Sequence, residues 1–165
     1  MNWARIVATF FGAGLLRPAP GTWGSLAALP VGWVVATLAG PWGFLCATIA
    51  VFALGWAATA IETRGKDDHD PSEIVIDEVA GQWIALLPVV MGAAHVGADL
   101  LALWPGWIAA FALFRLFDIW KPWLVGWADR RGDALGVMLD DVIAGVFAGV
   151  CVVILAALAH GVMFL

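Results

Sequence analysis

The chain has 165 residues, of which 63% are hydrophobic and only 13% are charged, and its formal net charge is −5. A soluble domain normally carries about a quarter charged residues, so this composition excludes an ordinary soluble protein and indicates a membrane protein with short loops. The chain also lacks a basic patch interleaved with aromatic residues, which argues against a nucleic-acid partner.

Five hydrophobic segments follow a short N-terminal stretch. Residues 3–16 place apolar side chains near one helical face but cannot span a bilayer, which predicts an interfacial or re-entrant helix. The longer segments predict an all-α polytopic membrane bundle, formed by one domain over residues 1–165. It has four or five spanning helices, depending on whether the third segment crosses fully. The segments are residues 23–38, 44–61, 79–97, 106–120 and 142–160.

Charged residues are segregated along this path. If every segment crosses, all eight Lys and Arg residues and twelve of the thirteen acids fall on one side, and Asp99 alone stays on the other. Charges are costly inside a bilayer, and cationic loops favour the cytoplasmic side. We therefore predict a functional site at the cytoplasmic end of the bundle.

Two vicinal acid pairs stand where helices are expected to begin. Asp77 and Glu78 precede one apolar run, and Asp140 and Asp141 precede another. The helix dipole explains a single acid in a first turn, at about 0.3–1 kcal/mol. Several carboxylates brought together need protons, bases or cations. Hard divalent cations such as Mg²⁺ take oxygen ligands and often add phosphate oxygens of a substrate.

Two glycines and a turn acid support this interpretation. Gly81 and Gly145 each follow an acid pair by about one helical turn, which predicts close helix packing that brings the pairs together. Asp70 precedes Pro71, and such a turn can direct the Asp70 carboxylate towards the start of the next helix. Asp70 is therefore a further candidate for the same site.

Arg115, Asp118 and Lys121 recur at a spacing of three and share a helix face. They form either an internal ion pair with a snorkelling lysine or a phosphate clamp, in which Asp118 orients the bases or joins the metal shell. The depth of Arg115 in an apolar run favours the clamp. Thr22 lies in a stretch rich in Gly and Pro, which predicts a loop with Thr22 as a helix cap.

These residues alone indicate metal-assisted chemistry on an anionic amphiphile at the cytoplasmic interface. A lipid phosphotransferase would also use Mg²⁺ and clustered acids, but the Asp-Gly…Ala-Arg…Gly…Asp…Asp pattern of such enzymes is missing. An ion-coupled transporter would place polar groups near the membrane midplane, whereas the polar groups of this chain lie at one end of the predicted bundle. The chain has no nucleotide-binding Gly-rich loop or His-Glu-x-x-His helix. Cys46 and Cys151 sit in apolar runs, which argues against a thiol nucleophile.

Four motifs in order resemble the phosphatidylglycerophosphatase A family of bacterial membrane lipid phosphatases. The order and near-complete coverage of the chain make this resemblance strong, although each motif alone is weak. Some relatives have a second proline at the position of Leu124, a departure that leaves the charged positions intact. The motifs are residues 20–25 (PGTWGS), 69–70 with 74–81 (HD, IVIDEVAG), 114–122 (FRLFDIWKP) and 140–145 (DDVIAG).

The resemblance implies Mg²⁺-dependent removal of the terminal phosphate from phosphatidylglycerophosphate, at the cytoplasmic face of a bacterial inner membrane. The partners are then the lipid substrate and the bilayer, and the oligomeric state stays open. Thr22 and Ser25 become candidate donors to the phosphate. On this hypothesis, the catalytic residues are Asp77, Glu78, Asp118 and Asp141, the substrate-binding residues are Arg115, Lys121, Thr22 and Ser25, and the metal ligands are Asp70, Asp77, Glu78, Asp140 and Asp141.

Overall fold

The computed structural model describes residues 2–66 and 68–163, with the backbone alone for residues 160–163. Asp67, one of the acids predicted at the charged end, lies outside the described residues. The described residues form helices joined by turns, with no strand among them. The helices are α1 (Trp3–Ala8), α2 (Pro20–Glu62), α3 (Ile76–Val96), α4 (Trp104–Trp120), α5 (Leu124–Asp129) and α6 (Ala134–Met163), and short 3₁₀ turns cover Ala13–Leu15 and Leu100–Leu103.

The long helix α2 folds back on itself at Gly40. This residue has φ 69° and ψ −175°, which is not helical. Gly24 and Gly55 both pack against the start of α3, because a Cβ on Gly24 would lie 2.7 Å from Val75 and one on Gly55 would lie 3.1 Å from Ile76. A straight helix would hold positions 24 and 55 about 46 Å apart. The two antiparallel arms of α2 are residues 20–39 and 41–62.

Four helices of the described chain are long and apolar enough to cross a membrane. Because α2 reverses at Gly40, its arms count separately and the bundle has five candidate crossings. The helix α3 has 21 residues and is therefore about 31 Å long, which is enough to cross a hydrocarbon core about 30 Å thick. The predicted all-α membrane bundle is confirmed.

The helix α3 lies at the centre of the bundle and is the most buried of the four candidate spans. Trp83 of α3 donates its indole N–H to the carbonyl oxygen of Ala28 in the first arm of α2, at 2.9 Å. Its ring centroid lies 5.3 Å from that of Phe44 in the second arm. On another face, Gly81 of α3 and Gly145 of α6 leave no room for a Cβ on either helix. These contacts fix α3 between α2 and α6.

The N-terminal segment is not the single helix that we predicted for residues 3–16. The helix α1 ends at Ala8, whose carbonyl oxygen accepts the Val75 N–H at 2.8 Å. Phe10 and Phe11 then take positive φ values of 44° and 56°. The Ala8 carbonyl thus pairs across to the chain before α3, and the helix cannot continue there. An ion pair of 3.2 Å between Arg5 and Glu73 supports the same junction.

The start of α2 also differs from the prediction. The helix begins at Pro20, so residues 20–25 of the predicted loop are helical while residues 16–19 are not, and Ala19 rather than Thr22 is the N-cap residue. Proline suits the first helical turn because its missing N–H would have no helical partner there. Thr22 therefore lies inside the first turn, and the prediction that it caps the helix is wrong.

The helix α6 begins earlier than predicted, at Ala134. The carboxylate of Asp133 accepts the Gly136 N–H at 2.7 Å, which is the capping contact of a helix start. Asp140 and Asp141 therefore lie nearly two turns inside the helix, so the helix dipole does not explain them. Asp77 and Glu78, in contrast, occupy the first turn of α3 as predicted.

Candidate active site

A cavity of about 330 Å³ opens where α2 and α3 begin and α4 ends, beside the second turn of α6. Its walls carry six acids against two bases. All the predicted site residues line it except Ser25. An anionic phosphate would be repelled from such a cavity unless cations were bound there. The lining residues are Ala19, Pro20, Gly21, Thr22, Asp70, Ser72, Ile74, Asp77, Glu78, Arg115, Asp118, Ile119, Lys121, Asp140 and Asp141.

Three carboxylates form a compact group in this cavity. One oxygen from each of Asp77, Glu78 and Asp141 lies within 4.8 Å of the others. Each of these residues also has a buried oxygen without a hydrogen-bond partner among the described residues. Burying ionised carboxylates without partners is costly, and like charges at this distance repel. The group has the oxygen donors and the charge that a hard divalent cation requires.

A glycine contact brings these acids together from two helices. A Cβ on Gly81 of α3 would lie 2.5 Å from the carbonyl oxygen of Asp141, and a Cβ on Gly145 of α6 would collide with the Gly81 carbonyl. The two backbones can approach only because both residues lack a Cβ. The predicted close packing at Gly81 and Gly145 is confirmed, and it places Asp141 beside Asp77 and Glu78.

Arg115 stands beside the three-acid group on α4. Its guanidinium pairs with the carboxylate of Asp118 one turn later, and it lies 3.9 Å from Glu78 Oε1. Gly21 of α2 makes room for this pair, because a Cβ there would collide with Glu78 Oε1 and lie 3.2 Å from Arg115 Nη1. The Nε atom of Arg115 is buried without a partner among the described residues. Arg115 is thus a positive charge held at the edge of the acid group.

Ser25 lies behind Arg115 rather than in the cavity wall. Its hydroxyl donates to the carbonyl oxygen of Gly21 at 2.9 Å and accepts from Arg115 Nη1 at 3.4 Å. The side chain is fully buried. This placement suits a residue that supports Arg115, whereas Thr22, one turn earlier, lines the cavity directly.

Lys121 pairs with two acids at the cavity wall. It ends α4 in a left-handed conformation with φ 49°, and its Nζ atom donates to Asp140 Oδ2 at 2.9 Å and to Asp129 Oδ1. Burial opposes the charge on Lys121, but the two carboxylates outweigh it and raise the pKa. Asp140 Oδ1 accepts the backbone N–H of Asp141 at 2.9 Å. Asp140 is therefore paired with Lys121, and it lies outside the group of Asp77, Glu78 and Asp141.

Asp70 lines the cavity from the loop before α3. It also lies outside the three-acid group. Burial raises the pKa of Asp70, although the positive charge of Lys121 opposes the shift. The adjacent wall residue Ser72 accepts a hydrogen bond of 3.1 Å from Arg17 Nη1. The loop thus adds one carboxylate to the cavity opening.

Asp129 is a site residue that the sequence analysis missed. It follows Lys121 by eight positions, across a break at Trp123 (φ 40°) and the short helix α5. No regular helical spacing relates Lys121 to Asp129, so a motif search on one helix face does not find the pair. From the sequence, Asp129 is recognisable only as one of the few charged residues that follow Lys121 and Pro122 closely.

A comparison with protein families matches residues 6–156 to the family described as Phosphatidylglycerophosphatase A. The match covers all four motifs and every residue of the cavity wall. The chain belongs to the phosphatidylglycerophosphatase A family. It is therefore an enzyme of the phosphatase class, and the cavity is its candidate active site.

Two bacterial proteins named phosphatidylglycerophosphatase A are similar to this chain. The chain is 37% identical over 153 residues to the phosphatidylglycerophosphatase A of Haemophilus influenzae, covering 92% of this chain and 88% of that protein. It is 36% identical over 147 residues to the protein of the same name from Escherichia coli, with coverages of 87% and 77%. No solved structure matches the chain.

A third relative carries a different name. A protein of Bacteroides thetaiotaomicron, provisionally named a phosphatidylinositol-3-phosphatase, is 37% identical over 155 residues, which cover 90% of this chain and 91% of that protein. The names of all three relatives describe the removal of a phosphate from a membrane lipid, and they differ in the lipid headgroup.

Proposed function

We propose that this phosphatase hydrolyses phosphatidylglycerophosphate to phosphatidylglycerol and phosphate, in bacterial phospholipid biosynthesis. We place the protein in the inner membrane as a single membrane-embedded domain, with its cavity facing the cytoplasm. The observation that carries this proposal is the group of Asp77, Glu78 and Asp141 at one end of an apolar bundle, each with a buried oxygen that has no partner among the described residues. The relatives named for this lipid support the choice of substrate.

We infer that Asp77, Glu78 and Asp141 hold Mg²⁺, since their buried oxygens, which have no partner in the described part of the chain, fit a hard cation. Bound there, the metal would offset the charge of the phosphate and lower the pKa of a coordinated water. Asp70 and Asp140 support the site from the cavity wall. Asp140 does so by holding Lys121 and accepting the Asp141 N–H.

The bases and hydroxyls of the chain would orient the phosphate. Arg115, fixed by Asp118 and Ser25, and Lys121, fixed by Asp129 and Asp140, would donate to phosphate oxygens as charge builds on them. Thr22 would add a hydroxyl donor from the first turn of α2. Two routes fit this arrangement: direct attack by water on the phosphate, or transfer of the phosphate to a cavity carboxylate as a transient acyl phosphate, with release of the lipid alcohol and later hydrolysis by water.

The test is phosphate release from purified protein in detergent. We expect release from phosphatidylglycerophosphate that requires Mg²⁺, stops on addition of a chelator and returns when the metal is restored. Activity that persists at full rate after chelation and dialysis would contradict the metal proposal. No release from any phosphorylated lipid at any metal concentration would contradict the phosphatase proposal.

A second candidate substrate is a phosphoinositide, because a relative of equal identity carries that name. The same assay decides between them. Phosphatidylinositol 3-phosphate and phosphatidate are compared with phosphatidylglycerophosphate at equal concentration in the same micelles. A higher kcat/KM for phosphatidylglycerophosphate supports the first proposal, and a higher value for the phosphoinositide replaces it.

Lys121→Ala should lower kcat/KM by about tenfold to a hundredfold, since a charge-assisted donor to the phosphate is lost from the bound state and, to a larger extent, from the transition state. KM should rise and kcat should fall together. The chain has one other lysine, Lys66, which is exposed outside the cavity wall, so Lys66→Ala is the matched control. An unchanged kcat/KM for Lys121→Ala would remove this residue from phosphate binding.

A further inference from the structure

An apolar groove lies between the first arm of α2 and helix α4. It has a volume of about 340 Å³, and only Leu, Ile, Pro and Trp side chains line it. Leu29 and Trp33 form its α2 wall, and Trp104 and Ile108 form its α4 wall. Such a groove, open at the flank of a membrane bundle, suits a hydrocarbon chain.

The groove and the cavity share the same two helix faces. On α2, Leu29 and Trp33 follow Thr22 by seven and eleven positions, which returns to the same face of a helix with 3.6 residues per turn. On α4, Ile108 and Trp104 precede Arg115 by the same two spacings. The rise of each helix places Leu29 about 10 Å and Trp33 about 16 Å from Thr22. Ile108 and Trp104 lie at the same two distances from Arg115. The two features therefore lie in line along one seam.

The seam between these helices is loosely closed. Leu26 of α2 is 38% exposed, and Ile108 of α4 is 58% exposed. The contact between α3 and α6 contrasts with this, since Gly81 and Gly145 bring those two backbones together without space for a methyl group. A chain entering from the bilayer meets an open path at the α2–α4 seam.

We propose that the groove holds an acyl chain of the phospholipid whose phosphate occupies the cavity. The inference rests on the proposed function and adds the route by which the substrate binds. A lipid's phosphate and acyl chains are covalently joined, so the chain must stay in an apolar medium while the phosphate reaches the acids. One leaflet of hydrocarbon is about 15 Å deep, so an acyl chain reaches the near end of the groove at Leu29 and Ile108, whereas the far end at Leu101 lies beyond that depth. The Trp rings supply rigid apolar walls.

The test fills the groove without touching the cavity. Ile108→Trp should lower kcat/KM for long-chain phosphatidylglycerophosphate by at least fivefold. The same variant should keep the value for a butanoyl-chain analogue within twofold of the wild-type protein. Val150→Trp is the matched control, since Val150 is 54% exposed on α6 and lies about 14 Å from Asp141 along that helix. It should leave both values unchanged.

A second variant guards against misfolding of the first. Ile108→Ala widens the groove and should shift the preference among substrates towards longer or branched chains. Equal losses on long-chain and short-chain substrates, or no change in chain preference for either variant, would overturn the groove proposal while the proposed function stands. Failure of the wild-type protein to hydrolyse both substrates would overturn the two together.

Discussion

Asp77→Asn should reduce phosphate release by about a thousandfold or more. The substitution keeps the size of the side chain but removes one of the three carboxylates that we assign to the metal. Even outer partners of metal ligands are worth about 10–100-fold, so a direct ligand should cost more. Turnover is measured as a function of Mg²⁺ concentration, and Mn²⁺ binding to the purified protein gives a second readout that does not depend on activity.

The control for this prediction is Asp99→Asn at the opposite end of the bundle. Asp99 accepts the Leu101 N–H at 2.7 Å as the cap of a short 3₁₀ turn, and asparagine also caps helices well. Asp99→Asn should retain wild-type activity and Mn²⁺ affinity. Normal turnover in Asp77→Asn would remove Asp77 from the metal site, and lost turnover with unchanged Mn²⁺ affinity would assign it a different role.

Gly145→Ala should lower kcat by about a hundredfold, although it changes no charged or polar side chain. The added methyl group would collide with the Gly81 carbonyl oxygen and lie 3.1 Å from the Gly81 Cα atom. Helices α3 and α6 must then separate, which moves Asp141 away from Asp77 and Glu78. A displacement of about 1 Å at a reacting centre can cost about 10²-fold in rate. Phosphate release and thermal unfolding in detergent are measured together.

Gly149→Ala, one turn further along α6, is the matched control. Its added methyl group would be 3.5 Å from the nearest atom, which belongs to Pro88, and this is an ordinary packing distance. The variant should keep its activity, and its thermal stability should not fall. If Gly145→Ala behaved like Gly149→Ala, the glycine contact would not determine the distance between the acids.

Much of the site could be predicted from the sequence because its signals are local. The acid pairs, the glycines one turn after them and the spacing of Arg115, Asp118 and Lys121 all lie within single helices. The segregation of charge then indicated the end of the bundle at which these helices meet. Such patterns are easy to recognise in a membrane protein, because the cost of desolvating a charge keeps charged residues out of most positions in apolar segments.

The remaining features depend on contacts that local patterns do not contain. The ion pair between Asp140 and Lys121 depends on the left-handed conformation of Lys121, which non-glycine residues adopt uncommonly. The position of Ser25 behind Arg115 depends on how α2 packs on α4. The start of α6 is different, because Asp133 supplies a capping signal that could have been recognised.

The glycine contact between α3 and α6 also has a consequence for biogenesis. Asp141 is carried by α6, whereas Asp77 and Glu78 are carried by α3. A ribosome inserting this chain therefore releases its first two acids into the membrane environment well before their third companion is synthesised. On the roles proposed for these acids, the metal site cannot be completed before α6 has been synthesised and has packed on α3.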